Sequence, residues 1–321
     1  MFRLIALFVW AFSSAAVSTV TWAQTYPSRP VKLVVPWPPG GTVDGVARVM
    51  SNKVATDLGQ PLVVENKPGA GGTLGAASVA SAAPDGYTLL MVFDTHAVNH
   101  HLYKTLGYDP FKDFVAISQL VTSPQVVAAA NVFAPSTLAE VIAHAKAKPG
   151  DVTYGSVGTG SSNHLNALAL EARTGIKMLH VPYKGGAPMM QDLVAGQINI
   201  MFVSAPQAIP QVKAGRIKAL AAGSLKRMAQ LPATPTLDET LKGFEAASWV
   251  GLVAPAATPP AILARVQQVF VGALGDAEIR GRLIGQGFDI VGSSPQEFDH
   301  FVRAESDRLG KVIRDNAIVV E

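Results

Sequence analysis

Two glycine turns hold the residues best placed to do chemistry in this chain, and the chemistry they suit is the capture of an anion. The first comprises Gly40, Gly41, Thr42, Val43 and Asp44, and follows a strand-like run, Val31 to Val35. Pro36, Pro38 and Pro39 end that strand because none can donate a backbone N–H. Gly40 and Gly41 lack a Cβ, so they permit positive φ and let a ligand oxygen approach the main chain; Thr42 or Asp44 can cap the helix that follows. Val46, Ala47, Met50, Val54 and Leu58 recur at helical spacing, so the free N–H groups at that helix's start face the loop, where a carboxylate fits. The second turn repeats the device: a strand over Val152 to Ser156, then Gly158-Thr159-Gly160, then Ser161, Ser162 or Asn163 as cap of a helix with Leu165, Leu168, Ala169 and Ala172 on its apolar face. One such loop on each side of a cleft gives a ligand donors from both sides.

Other chemistries find less support in the residue pattern. His96, His100 and His101 lie close in sequence, yet there is no HExxH and no cysteine, so no metal site is expected. His164 lies one helical turn into the second loop, where it either packs, caps or contacts the ligand. A hydrolase is the competing class, because Ser, His and Asp all occur near glycine turns. Its signatures are missing: GTGSS is not GxSxG, and neither GxxxxGK[ST] nor a properly spaced GxGxxG occurs. No catalytic residue and no cofactor are assigned.

The elements that must position these loops alternate between strand and helix. Strands are predicted at Pro61 to Asn66 and Tyr87 to Phe93, with Asp94, Thr95 and His96 on the turn that leaves the latter. Further strands are predicted at Met178 to Tyr183, Ile198 to Ser204 and Ile217 to Ser224, with helices at Ala187 to Ala195 and Pro206 to Ala214. This order predicts an α/β fold of two Rossmann-like lobes, with sites at the carboxyl ends of the strands. Phe114 to Ala130 is too long for one ordinary strand and is broken by Ser123-Pro124; it reads as one crossover between lobes, and Ala247 to Ala254 as the second. One lobe is then 24–124 with 248–321, the other 125–247. A helix is expected over Ser136 to Gly150, with Ser136 able to cap it and Pro149-Gly150 to end it, FDIVGSS is a possible added strand, and SPQEF opens a capped amphipathic helix.

Composition narrows the partners. With 49% hydrophobic and 15% charged residues, the 321-residue chain can bury sizeable cores; its formal charge of +3 comes without a run of Lys or Arg, so nucleic acid is not an expected partner. Residues 1–23 combine Arg3, an apolar run from Leu4 to Phe12 and Thr21-Trp22-Ala23, the pattern of a cleaved export signal whose apolar run is shorter than a membrane span. The absence of cysteine suits an exported protein that relies on packing.

The motifs YPSRPVKLVVPWPPGGTVD, GQPLVVENKPGAGG, APDGYTLL, YGSVGTGSSNHL, HVPYKGGAP and SWVGLVAPAATP, spread over nearly the whole mature chain, resemble the substrate-binding proteins of tripartite tricarboxylate transporters, the Bug family. The resemblance implies a type II-like, two-lobed periplasmic binding protein that closes over a small carboxylate, di- or tricarboxylic or aromatic, and delivers it to the transporter's membrane subunits. A binding protein that serves a signalling partner is the alternative. Carried over by position, the ligand-binding set is Gly40, Gly41, Thr42, Val43, Asp44, Thr95, His96, Ser156, Gly158, Gly160, Ser161, Ser162, His164, Val203 and Ser204. Val203 departs from amino-acid-binding relatives, which carry an Asp there, so ligands without an amino group are expected. Neither glycine loop contains Arg or Lys, so neutral donors at Gly41 to Val43 and Gly160 to Ser162 are expected to hold the carboxylate. The protein is expected to act as a monomer in the periplasm. Intact mass of protein from the periplasmic fraction should begin near Gln24; a full-length mass in the membrane fraction refutes cleavage.

Overall fold

The computed structural model describes residues 26–320, so the leader assigned to 1–23 lies outside the described residues. Among the described residues ten strands appear: β1 (Val31–Val35), β2 (Leu62–Asn66), β3 (Thr88–Phe93), β4 (Phe114–Ala130), β5 (Thr153–Ser156), β6 (Leu179–Pro182), β7 (Ile200–Ser204), β8 (Ile217–Ala222), β9 (Ala247–Pro255) and β10 (Asp289–Ile290). The helices are α1 (Thr42–Leu58), α2 (Thr73–Ala80), α3 (Asn99–Leu102), α4 (Leu138–Ala147), α5 (Ser162–Thr174), α6 (Gly186–Val194), α7 (Ala205–Lys213), α8 (Leu237–Thr240), α9 (Pro260–Leu274), α10 (Ala277–Gly285) and α11 (Pro295–Asp315). The fold has two lobes built on one curled sheet in the order β2-β1-β3-β9-β4-β7-β5-β6, with β8 and β10 also paired to β4. Within each lobe the βαβ units are parallel: β1 lies between β2 and β3, and β5 between β6 and β7.

Burial on both faces explains the apolar strands. Leu33 and Val35 of β1 join one core with Val46 and Met50 of α1 and Phe270 of α9, while Val34 joins a second with Val79 of α2 and Phe298 of α11. A strand covered on both sides must be apolar at successive positions, which is why VKLVV does not alternate. Two further cores flank the strands of the other lobe.

β4 joins the lobes. Its 17 residues run unbroken, so the interruption expected at Ser123-Pro124 is absent. The proline instead marks a change of partner: Pro124 is opposite Ala247 of β9, and Gln125 is opposite Ser204 of β7. Pro124 has no N–H to add to a ladder, so the handover falls where a missing bond costs least. The seam is closed by Gln125 N–H to Ala246 O at 2.9 Å and Gly223 N–H to Gln125 O at 2.7 Å.

Three local expectations need correction. The cap of α4 is Thr137, whose hydroxyl accepts from Glu140 N–H, while Ser136 N–H donates to the Glu140 carboxylate. The buried face of α5 is Leu165, Ala167 and Leu170, and Ala172 is exposed, because this helix is wedged between lobes. Leu165 packs with Trp249 and Phe298 of the first lobe, and Leu168 packs partly there as well. The strand at FDIVGSS is only Asp289–Ile290, while Ser294 and Glu297 form the expected capping box on α11.

Gly223 is the tightest point of the seam: a Cβ there would lie 1.9 Å from Ala246 O and 2.9 Å from Gln125 O. Neither obstacle is a side chain that can turn away. Gly223→Ala should therefore reach the upper part of the ~1–3 kcal/mol typical of overpacking, read as a lower urea midpoint.

Candidate functional site

A cavity of about 480 Å³ opens between the lobes, within the range of small-molecule sites. From the first lobe come Trp37 to Val43 and Phe93; from the second come Asn163, Lys184 to Pro188, Ser204 and Gln207. The lobes touch across it, with Thr42 Oγ1 2.8 Å from Ser204 Oγ. Three helices begin at its wall: α1 after Gly41, α6 after Gly185 and α7 after Ser204, none with a side-chain cap bond. α4, α8, α10 and α11 are each capped by a side chain, those of Thr137, Thr236, Asp276 and Ser294, while α2, α3, α5 and α9 also lack one.

The first loop is held from behind. Gly40, at φ +79°, takes the backbone conformation that glycine tolerates, and its N–H donates to Asp44 Oδ2 at 2.9 Å. Arg48 Nε donates to the same oxygen at 2.8 Å and Asn66 Nδ2 to Oδ1 at 2.9 Å. Burial alone would raise the Asp44 pKa, but hydrogen bonds from Arg48, Gly40 and Asn66 outweigh it and hold the carboxyl below the ordinary range. Asp44 is thus a buried brace that does not line the cavity; neither it nor Thr42 is the cap, which is Gly41. The N–H groups of Thr42 and Val43, in the first turn of α1, remain for a ligand.

The second loop departs further from expectation. Gly158 N–H donates to Ser156 Oγ at 3.1 Å, Gly160 N–H to His164 Nδ1 at 3.0 Å, and Ser161 N–H to Gly158 O at 3.1 Å. Ser161 Oγ also donates to Gly158 O, at 2.6 Å. Donors expected at Gly160 and Ser161 are therefore spent within the loop. Gly158, Gly160, Ser161 and Thr95 line a separate recess of about 200 Å³, divided from the main cavity by Trp37 and Val157, which border both. Thr95 Oγ1 is occupied by Gly71 O at 3.0 Å.

Several expected contacts are structural in position. His96 is buried beside Phe114, ring centroids 5.3 Å apart, and burial followed by the neighbouring His100 lowers its pKa to about 4. His164 stacks on His180 at 4.1 Å, and burial, then His180, brings it to about 4. Both rings are neutral at pH 7. Val203 is buried in the second lobe's core, and Ser162 Oγ accepts from Gln125 Nε2 at 2.8 Å. Ser156 Oγ lies 2.7 Å from His180 Nε2, a nucleophile-to-base distance, but Ser156 is wholly buried, away from both cavities, and bonded to Gly158 O. Among the described residues no acid hydrogen-bonds to His180, so the pair lacks the third group that orients a catalytic base.

The family model for the tripartite tricarboxylate transporter family receptor (TctC) matches residues 46–318. The chain belongs to this receptor family. The receptor is 33% identical to Protein BugT of Bordetella pertussis over 98% of both chains. Among solved structures it is similar to R. palustris Rpa4515 with adipate (32% identity, TM-score 0.87, 92% of this chain and 100% of that one) and to MatC from Rhodopseudomonas palustris with bound malate (34%, TM-score 0.84, 90% and 100%).

Sequence reasoning missed the receptor's third glycine turn, Lys184-Gly185-Gly186, which leads from β6 into α6 and lines the main cavity. The signal was present, since YKGGAP after a strand repeats the pattern of the other two loops. Asn163, read from the sequence only as a possible cap, and Gln207, which nothing in its local sequence marks, also line the cavity.

The brace at Asp44 is testable. Its folded pKa is depressed, so its stabilisation is present above the unfolded value of ~3.9 and is lost as pH falls through the folded value. Asp44→Ala should lower stability at pH 7 by roughly 1–3 kcal/mol, the cost of losing hydrogen bonds to a charged group, and the gap to wild type in urea melts should narrow below pH 4.

Proposed function

We propose that this receptor captures a small organic carboxylate without an amino group in the ~480 Å³ cavity and hands it to the membrane subunits of a tripartite transporter. The observation that carries this is the concentration of uncapped helix starts at one wall: α1, α6 and α7 all begin there. Each such terminus is worth ~0.3–1 kcal/mol to an exposed anion and up to ~2 when partly buried. Hydrogen bonds to a charged group contribute about 1.5–3 kcal/mol each. Candidate donors are the N–H groups of Thr42, Val43, Gly186 and Ala187, with the hydroxyls of Thr42 and Ser204.

Among the described residues Lys184 is the one lining residue with a formal charge, and no acid faces the cavity. An ammonium on the ligand has no counter-charge there; Val203, expected at the site, faces the core instead. Trp37, Phe93 and Met190 suit a hydrocarbon skeleton between carboxylates. Adipate and malate, the acids in the two similar structures, support a dicarboxylate. Capture takes place in the periplasm after loss of the leader; among the described residues no helix is long and apolar enough to cross a membrane. The lobes 24–124 with 248–321, and 125–247, close about β4 and β9.

Gly41 allows a clean test because its φ of −78° suits any residue and a Cβ would meet only Pro38 O, at 3.4 Å. Gly41→Val should leave the ligand-free melting temperature unchanged and abolish calorimetric binding of adipate, malate and benzoate. Lys184→Gln should weaken the dicarboxylates several-fold, in keeping with ~1 kcal/mol for a charge at an open mouth, and spare benzoate. Normal binding by Gly41→Val refutes the site.

A further inference from the structure

Asp94 stands on the turn after β3, at the seam between lobes, with 2% of its surface exposed. Neither carboxyl oxygen receives a hydrogen bond of normal geometry. The groups nearest to supplying one are the hydroxyls of Ser162 and Ser248 and the N–H of Thr95, which act on it in the direction that favours its charge. Ser162 belongs to α5 of the second lobe, and Ser248 to β9. Both hydroxyls accept from Gln125 Nε2 at 2.8 Å, and Gln125 Oε1 accepts from Asn166 Nδ2 at 2.9 Å, so a neutral buried network ties β4, β9 and α5 together around the acid.

A carboxylate sealed against neutral groups without full hydrogen bonding is costly, whereas the neutral acid can both donate and accept there. α11 brings Glu305 near it, paired with Arg308 at 2.8 Å, and Glu305 works against the negative charge. α3 contributes His100 and His101, both turned to Ser306 of α11. β3, β9 and the 70–72 turn carry no titratable side chain. Desolvation outweighs the serines, and the pKa rises to about 7.

One side of the pocket that buries Asp94, α5 with Ser162, comes from the other lobe, so opening the cleft lets water reach the group. We infer that lobe closure takes up one proton on Asp94, making the closed receptor the form favoured by acid. This rests on the hinge between lobes described above and not on the identity of the carboxylate. A solvated Asp titrates near ~3.9, so from there up to about 7 each rise of one pH unit lowers the closed-to-open ratio by as much as tenfold, and the effect levels off above.

The chain has no cysteine, so a labelled pair reports closure without background. Val63→Cys on β2 and Leu179→Cys on β6 are exposed positions at opposite ends of the sheet. Single-molecule energy transfer on ligand-free protein between pH 5 and 9 should show the closed fraction rising as pH falls through about 7 in wild type and constant in Asp94→Asn. Ser162→Ala, which removes a hydroxyl that favours the charged form, should move the midpoint to higher pH. A wild-type closed fraction independent of pH overturns the inference, as does a pH response that survives in Asp94→Asn. Because no ligand is present, neither result bears on the carboxylate site, which calorimetry tests separately.

Discussion

The first turn of a helix carries N–H groups that the helix itself cannot satisfy. That constraint shapes this receptor: α1, α6 and α7 start at the cavity wall without a side-chain cap, so their first-turn N–H groups are left for a ligand. The strands exist to aim those starts. β1, β6 and β7 deliver α1, α6 and α7 to the same cleft, two from one side and one from the other, so an anion completes hydrogen bonding that no single lobe can complete alone.

Aiming is kept stable from behind. Asp44 satisfies Gly40 with one oxygen and Asn66 with the other, while Arg48 balances its charge, so the loop is rigid before any ligand arrives. The second lobe does the same with uncharged groups: His164 and Ser156 absorb the loop's own donors, His180 and Tyr154 stack on the His164 ring, and His180 Nε2 meets Ser156 Oγ. β4 then sets the distance between the two rigid parts, since its ladder continues from one lobe into the other.

Much of this was legible in the sequence because glycine and proline leave local marks. The strand–turn–helix units, the long crossover at Phe114 to Ala130 and the capping box at Ser294 all follow from neighbours in the chain. What was not legible depends on distant partners. Gly160 N–H is lost to the ligand because of where the His164 ring points, and Asp94 is buried where the turn after β3 meets β9, α11 and α5. The break expected at Ser123-Pro124 failed for a related reason: a proline that ends an isolated strand is tolerated where one sheet partner is exchanged for another.

Gly40 and Gly41 sit side by side for different reasons. Gly40 meets a backbone requirement at φ +79°, whereas Gly41, at φ −78°, meets none, and its missing side chain is simply space at the wall of the cavity. Folding and recognition are thereby separated between adjacent residues. A lineage can close the pocket to particular ligands by adding a side chain at the second position while the turn, the helix start and the brace behind them stay as they are, so recognition can change without a toll on stability.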